Sequence, residues 1–282
     1  MTITPPAPPQ MTPPTPTDPT NGPSAASRVI AILAIVFGGL VIVGVLTWTF
    51  VASLVSVESR TSNASVAVAG VDTLDIDLAA GSLRVEFSDV AEAELEARSA
   101  RGADDWTFER VGDTLRVASP QWWGGFGWLF SGPGDAVLVL PDDLQGADAA
   151  LTLSAGDLRV DGDFGTLDLD VNAGQADVRG TATDATVQVN AGGADVELRD
   201  VERGEFGVSA GDLVADLRGN SPDDLRLSVS AGTLTISIPD GEYDVSSDVS
   251  AGDFDNRIGS TPGADSTVSA TVSAGSLTLR AD

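Results

Sequence analysis

The chain has 282 residues and a formal charge of −27, because 42 Asp and Glu outnumber 15 basic residues, all of them Arg. The absence of Lys, His and Cys excludes a Ser-His-Asp triad, a cysteine nucleophile, a zinc site of the usual ligands, a P-loop lysine and any disulfide. Nucleic acid binding needs clustered positive charge, so we expect no nucleic acid partner.

Residues 1–28 form a proline-rich segment. They hold nine of the 15 prolines, and Thr, Ala and Ser make up most of the remainder. Such a segment cannot bury an apolar core, so we predict a disordered, solvated tail. The alternative is a docking site for a cytoplasmic partner that reads proline motifs.

Residues 29–55 carry no charge over 27 positions and predict a transmembrane helix. A helix of that length spans roughly 40 Å, against about 30 Å for the hydrocarbon core of a bilayer. A signal peptide is the competing interpretation, but its apolar region is shorter and its leader is short and basic. We therefore expect a retained single-pass anchor, with the lipid bilayer as its partner.

Residues 56–282 carry the whole net charge, since 14 Arg against 41 acidic residues gives 14 − 41 = −27. Arg28 directly precedes the apolar segment, whereas Arg60 lies five residues beyond it. This asymmetry favours a cytoplasmic N-terminus and an extracytoplasmic C-terminal domain. We predict a linker over 56–70 and one domain over 71–282, with an insertion over 86–148.

Eight Ala-Gly pairs share one register of flanking residues and define an internal repeat. Three and five residues before the Gly, and two and four residues after it, the chain is apolar in nearly every copy; Ser247 and Asn256 are the exceptions. This alternation predicts two strands with one buried face each. The corner glycines are Gly81, Gly156, Gly174, Gly192, Gly211, Gly232, Gly252 and Gly275.

A bend at each Ala-Gly pair is needed to keep both strands facing the same core, because the apolar positions change parity there. We predict that the Ala points inward at a crowded corner. Polar loops such as Asp161-Gly162-Asp163 and Ser221-Pro222-Asp223-Asp224 would close each unit. The insertion, with a hairpin at Gly112-Asp113, would add sheet at the N-terminal end.

One unit of about 20 residues cannot bury its own apolar face, but stacked copies can. The sequence therefore predicts an all-β fold: a β-solenoid-like stack of parallel strands with one Ala-Gly corner per repeat. It would be preceded by the transmembrane α-helix and the disordered tail. A meander closing into a sandwich or barrel is the alternative.

Two sets of polar side chains have both a structural and a functional interpretation. Ser or Asn stands two residues before the corner Gly in seven copies, which suits a ladder between repeats or a ligand-binding row. Asp follows the Gly at 157, 212 and 253, which suits a solvated acidic face with Arg pairing, as at Arg159, or a calcium site. We favour the structural interpretation for both sets, and expect no catalytic residues, no metal and no cofactor.

A Gly-rich aromatic segment over 120–130 is the remaining candidate. It suits an exposed loop that contacts an envelope or surface partner, or a cap folded over the apolar end of the stack. Its aromatic residues are Trp122, Trp123, Phe126, Trp128 and Phe130.

The Ser-Ala-Gly-Asp-Leu copies at 154–158 and 209–213, the Ser-Ala-Gly copies at 230, 250 and 273, and the Gly112 hairpin resemble the putative-adhesin family of β-strand-repeat domains, also called toast-rack domains. The resemblance covers roughly residues 71–282. It implies a bacterial envelope protein of stacked parallel strands, and it carries over no catalytic residue.

We therefore expect a non-catalytic, membrane-anchored extracytoplasmic module with an adhesin-like role in surface interaction. One alternative is an accessory sensor or regulator of envelope stress, in which residues 1–28 contact a partner inside the cell. Another is an enzyme that uses paired carboxylates to cleave polysaccharide. No carboxylate pair stands out among the many in the sequence.

Overall fold

A computed structural model describes residues 60–99, 106–120 and 134–282, and this part of the chain is all-β, as predicted. It contains one turn of 3-10 helix, at Asp142–Leu144, and no α-helix. The strands are β1 (Arg60–Val66), β2 (Thr73–Leu78), β3 (Ser82–Ser88), β4 (Ala93–Ser99), β5 (Thr107–Val111), β6 (Thr114–Ala118), β7 (Asp135–Pro141), β8 (Asp148–Leu153), β9 (Asp157–Val171), β10 (Gln175–Val189), β11 (Gly193–Arg199), β12 (Arg203–Arg218), β13 (Asp224–Ile238), β14 (Tyr243–Val249), β15 (Asp253–Asn256), β16 (Ser266–Val272) and β17 (Ser276–Ala281).

Each repeat contributes one strand segment before its corner glycine and one after it, and we call this pair a rung. The segments before the corners pair in parallel in the order β6, β2, β8, β9, β10, β12, β13, β16, β14. The segments after the corners pair in parallel in the order β7, β3, β9, β10, β11, β12, β13, β17, β15. We call these the first and second ladders.

The apolar positions predicted from the repeat form the core between the two ladders. The residues three before and two after each corner glycine are buried in every Ala-Gly rung except that of Gly252. The largest fully buried side chain in the described ranges is that of Phe206, which has no exposed surface. Burying each such side chain contributes about 1.5–3 kcal/mol to stability. Because every rung has to bury its apolar positions against its neighbours, the same apolar pattern recurs in each copy of the sequence.

The corner alanines point outward, so the prediction of an inward Ala was wrong. All eight are exposed: Ala80, Ala155, Ala173, Ala191, Ala210, Ala231, Ala251 and Ala274. The physical reason is that the corner takes three residues rather than one. The two residues before the Gly both face solvent, and the positive φ of the Gly then returns the chain to the inward alternation.

Several strands continue where the sequence predicted loops. Asp161, Gly162 and Asp163 lie within β9, which joins two rungs without leaving the sheet. Gly162 is buried and stacks on Gly180, where an added Cβ would lie 1.7 Å from the Gly162 carbonyl oxygen. The chain bends here on glycine while it keeps its ladder pairing, so no polar loop is needed. The segment before Asp224 is a loop between β12 and β13, as predicted.

The order of the rungs differs from the order of the chain at both ends of the stack. The β2–β3 rung lies between the β6–β7 rung and the β8–β9 rung. At the other end the last repeat, β16–β17, inserts between β13 and the β14–β15 rung. The Gly252 rung is therefore terminal in space although it is not terminal in sequence.

The two ends of the stack are built differently. At one end β1, β4 and β5 add antiparallel strands, with β4 on β7, β1 on β4 and β5 on β6. We call this the antiparallel end; strands β4, β5, β6 and β7, from the segment treated as an insertion over 86–148, lie here. At the other, parallel end, β14 and β15 are the last strands, and each has a partner on one side.

The first 59 residues lie outside the described ranges, and with them the predicted tail and membrane helix. No helix in the described ranges is long and apolar enough to cross a membrane. The described residues belong to the compact unit Glu58–Asp282. Within the segment treated as a linker, residues 60–66 form β1, so ordered structure begins before residue 71.

Candidate functional site

The corner glycines form a continuous column through the stack. All eight have φ between +104° and +146°. A Cβ added to any of them would lie 2.0–2.5 Å from the carbonyl oxygen of the glycine in the next rung. The order of contact is Gly134, Gly81, Gly156, Gly174, Gly192, Gly211, Gly232, Gly275 and Gly252. Both the backbone conformation and the spacing therefore require glycine, which gives the column a structural role.

The polar residues beside the corner bond to one another across rungs. The Asn190 side-chain amide donates to Asp170 Oδ1 at 3.0 Å and to Asn172 Oδ1 at 3.2 Å. Ser209 Oγ in turn donates to Asn190 Oδ1 at 3.4 Å. For this part of the row, the geometry fits the ladder that the sequence analysis favoured, since the side chains satisfy one another.

Arginines pair with part of the acidic surface, both along one strand and between neighbouring rungs. Arg203 binds both carboxylate oxygens of Asp184, at 2.6 and 2.8 Å, and this hydrogen bond and charge raise the pKa of Arg203. Arg218 bonds to Asp216 and to Glu197, and the bond to Asp216 is the main cause of its raised pKa. No group of three or more acidic side chains in the described ranges is placed to hold a metal ion.

The aromatic segment, Trp122, Trp123, Phe126, Trp128 and Phe130, lies outside the described residues. The strands that flank it in sequence are β6 and β7, which are the two halves of one rung. In the other rungs this position between the two halves is occupied by the short Ala-Gly corner. In sequence, the segment therefore separates the two strands of the first rung.

A cleft opens where β3 and β9 separate. Their pairing ends at Val85 and Val160. Beyond this point β3 continues to Ser88 along β7, while β9 continues along β10. The result is a cleft of about 490 Å³, which we call the β3–β9 cleft. Its lining includes Arg84, Glu86, Phe87, Gln145, Arg159, Asp161, Gly162, Asp163, Asp177 and Arg179.

The ring of Phe87 lies over a glycine at the inner end of the cleft. A Cβ added to Gly162 would lie 2.2 Å from Phe87 Cε2, so only glycine leaves room for the ring. Phe87 also contacts Phe164 edge to face, with ring centroids 6.3 Å apart. Phe164 is buried and Phe87 half-buried, so the cleft ends on an aromatic surface that is anchored in the core.

Two guanidinium groups stand opposite each other on the wall of the cleft. Arg84 and Arg159 are direct partners in the register of β3 and β9. Arg84 Nη1 lies 3.5 Å from Glu86 Oε1. The Arg159 side chain has no ion pair and no hydrogen bond within the described ranges, contrary to the predicted pairing. Like charges directly opposite on neighbouring strands are destabilising, and Glu86 offsets this repulsion on the Arg84 side only.

The cleft is close to electroneutral on a strongly acidic protein. Arg84, Arg159 and Arg179 are balanced by four carboxylates, which gives 3 − 4 = −1: Glu86, Asp161, Asp163 and Asp177. Sequence reasoning missed this site because it assigned Asp161–Asp163 to a loop. The available signal was that Phe87 continues the inward series after Leu83 and Val85, at a position where the next two copies carry Gly162 and Gly180.

Comparisons with known proteins return folds rather than sequence families. No protein-family model matches the chain, and no curated protein matches it. A putative adhesin from Bacteroides fragilis is similar at 12% identity and a TM-score of 0.47, covering 79% of this chain and 97% of that one. A putative adhesin from Parabacteroides distasonis has 10% identity and a TM-score of 0.40, with 80% and 98% covered. A putative lipid binding protein from the same species has 11% identity and a TM-score of 0.35, with 79% and 97% covered. Solved structures named as adhesins are thus among the chains that this protein is similar to, in line with the sequence resemblance.

Proposed function

We propose that the protein is a non-catalytic, membrane-anchored surface-interaction module with an adhesin-like role. Residues 29–55 would anchor it in the cytoplasmic membrane, and the β-solenoid-like stack would stand on the extracytoplasmic side. The observation that carries this proposal is the stack itself. The nine rungs of the described ranges expose two long ladder faces whose outward side chains are mostly polar and whose backbone is fixed by the glycine column. A rigid, elongated surface of this kind suits recognition by many weak contacts.

The absence of catalysis is part of the proposal, and the composition of the chain supports it. The chain has no His, Cys or Lys, so nucleophilic catalysis would have to rely on hydroxyl or carboxylate groups alone. Many carboxylates of the described ranges are bound to arginine in ion pairs along the outer faces. Side chains that neutralise each other at the surface serve packing and recognition rather than proton transfer.

The charge of the outer domain supports its placement away from the bilayer. Residues 56–282 carry −27, and anionic lipid headgroups repel such a domain within about a Debye length, roughly 8 Å at physiological salt. The domain would therefore extend from the membrane with its faces free. A partner in the envelope or on another surface is the natural ligand for faces so displayed.

The test is attachment of cells that express the full chain. Cells carrying the native chain and cells carrying a chain without residues 1–28 should attach equally to polysaccharide-coated surfaces. Cells carrying Gly192→Val should attach no better than cells without the protein, because the glycine column cannot close. Loss of attachment on deletion of 1–28 alone would favour the sensor or regulator function instead. Equal attachment with and without the protein would contradict the proposal.

A further inference from the structure

The β3–β9 cleft exposes backbone hydrogen-bonding groups as well as side chains. Ser82 donates its N–H to Gly134 on the β7 side, and Asp157 on β9 donates to the carbonyl oxygen of Gly81. Successive residues of a strand point their backbone groups to opposite sides, so the N–H and C=O of Phe87 face the cleft. There β9 has already turned away, and the partner that would continue the ladder is missing. A bound molecule in the cleft can therefore meet one backbone donor and one backbone acceptor.

The arginine side chains of the cleft favour a ligand that carries a negative group. Arg84 and Arg159 occupy facing positions on strands about 4.8 Å apart and both line the cleft, so a carboxylate that contacts both guanidinium groups would be bound by both. On a chain of net charge −27, an acidic residue is the more common type to find opposite Arg84, yet the position holds a second arginine. A pair of facing arginines in such surroundings leaves room for an anion from outside.

The remaining groups of the cleft favour a ligand that has hydroxyl groups and an apolar ring face. Asp161, Asp163 and Glu86 supply acceptors, and the Gln145 amide supplies both a donor and an acceptor. Phe87 offers a half-buried aromatic ring beside them. A simple anion would use the arginines alone and would be repelled by these carboxylates. A molecule that carries several hydroxyl groups together with one carboxylate uses all of them.

From this set of groups we propose that the β3–β9 cleft binds an acidic saccharide, a sugar unit with one carboxylate beside its hydroxyl groups. Its carboxylate lies between Arg84 and Arg159, and its hydroxyls bond to the carboxylates and to the backbone of Phe87. The cleft volume of about 490 Å³ falls within the range of about 300–1,000 Å³ typical of small-molecule sites. The inference rests on the proposed function and gives its ligand a chemical class.

The experiment measures binding of small probes to the full chain in lipid nanodiscs by saturation-transfer NMR. The probes are methyl β-D-glucuronide, the neutral methyl β-D-glucoside and acetate. We expect glucuronide to bind roughly tenfold or more tightly than either control, since a charge-assisted hydrogen bond contributes that factor. Arg159→Gln should weaken glucuronide binding by a similar factor. Arg199→Gln is the matched control, because Arg199 is also exposed, faces Arg218 across strands and lies outside the cleft.

Several outcomes would overturn the proposal. Equal binding of acetate and glucuronide would show a plain anion site. Equal binding of glucoside and glucuronide would show that the arginines do not select an acidic sugar. Equal losses of glucuronide affinity in Arg159→Gln and Arg199→Gln would show a general effect of charge. The absence of any saturation transfer to the probes would show that the cleft does not bind them. Both variants alter exposed side chains, so an unchanged melting temperature checks that they fold.

The result separates this inference from the proposed function. If cells attach through the outer domain but the purified chain shows no glucuronide signal, the cleft proposal fails and the surface function stands. If glucuronide binds as expected but cells carrying the protein attach to no surface, the site stands and the adhesin-like function fails.

Discussion

The two ends of the stack solve the same problem in opposite ways. A stack of parallel strands leaves unpaired backbone groups and a cut through the core at each end. The antiparallel end adds strands β1, β4 and β5 across the opening, and the inward residues there, such as Leu95, are fully buried. The parallel end adds no strand and instead makes its last rung polar.

Polarity at the parallel end explains the two irregularities of the repeat. Ser247 and Asn256 occupy inward positions that are apolar in the other copies, and both belong to the terminal Gly252 rung. Asn256 Oδ1 accepts from the N–H groups of Ile258 and Gly259, which closes the turn after β15. Thr261 donates to the Tyr243 carbonyl, so the following loop covers part of the free edge of β14. The comparison shows that a polar exception within a repeat marks an end, even in the interior of the sequence.

The first and largest prediction concerns the column that both ends share. Gly192→Ala should lower the free energy of unfolding by about 3–5 kcal/mol, because the new Cβ meets the Gly174 carbonyl oxygen at 2.3 Å and φ is +107°. Gly146→Ala is the control: its φ is +87° but no atom lies within 4 Å of its added Cβ, so we expect a loss of about 1–2 kcal/mol. Urea unfolding monitored by circular dichroism measures both. Equal losses would contradict the stacking of the corners.

The second prediction sets the centre of the stack against its parallel end. Val189 and Val249 hold the same repeat position, but the first is fully buried and the second is 42% exposed. Val189→Ala should cost about 2–3 kcal/mol, whereas Val249→Ala should cost less than about 1 kcal/mol. The same unfolding experiment checks this. A larger effect at Val249 would show that the Gly252 rung is not terminal.

The third prediction tests what the polar rung prevents. Ser247→Val should leave the melting temperature within about 2 °C of the native value, because the position is exposed, and should promote self-association at the bared apolar edge. Light scattering of the detergent-solubilised chain over a concentration series measures the association. Thr152→Val, on an outward position of β8, is the control. Equal association of the two variants would remove the special role of the terminal rung.

The fourth and smallest effect is a pH dependence at the parallel end. Burial raises the pKa of Tyr243, whose hydroxyl donates to the Pro239 carbonyl at 2.8 Å. A raised pKa in the folded state means that the stabilisation is complete below the unfolded pKa of about 10 and is lost as the pH rises through the folded pKa. The native chain should therefore lose more stability above pH 10 than Tyr243→Phe does. Parallel losses in thermal melts would show that Tyr243 ionises equally in both states.

Much of this fold could be predicted from sequence because the repeat imposes the same local physics on each copy. The buried alternation and the positive φ at positions such as Gly192 follow from local backbone sterics, and the regular spacing of the repeat then stacks each corner glycine on the next. The outward corner at Ala210 could not be read in the same way, since parity alone does not say whether a corner takes one residue or three. The sequence Asp161-Gly162-Asp163 is typical of a turn, so the continuation of β9 through Gly162 was not predicted.

The order of the rungs and the cleft depend on contacts far apart in the chain. The exchange of the last two rungs needs a crossover of the loop before β16, which no local pattern specifies. The β3–β9 cleft forms where β3 continues along β7 while β9 continues along β10. Of the candidate site residues, the corner glycines were therefore found from sequence, while Arg84 and Phe87 were not. These two residues line a cleft only because β3 and β9 separate beyond Val85, and the sequence does not show that separation.

The central claim is that the β stack stands outside the cytoplasmic membrane and the tail inside, and the lack of native Cys makes it directly measurable. Single cysteines would be placed by Ala210→Cys, at an exposed corner, and by Ala25→Cys, in the tail. The full chain would then be treated with a membrane-impermeant maleimide in spheroplasts with an intact cytoplasmic membrane. The account predicts that Cys at 210 is labelled at once and Cys at 25 only after detergent is added. Labelling of 25 but not 210 in intact spheroplasts would contradict it.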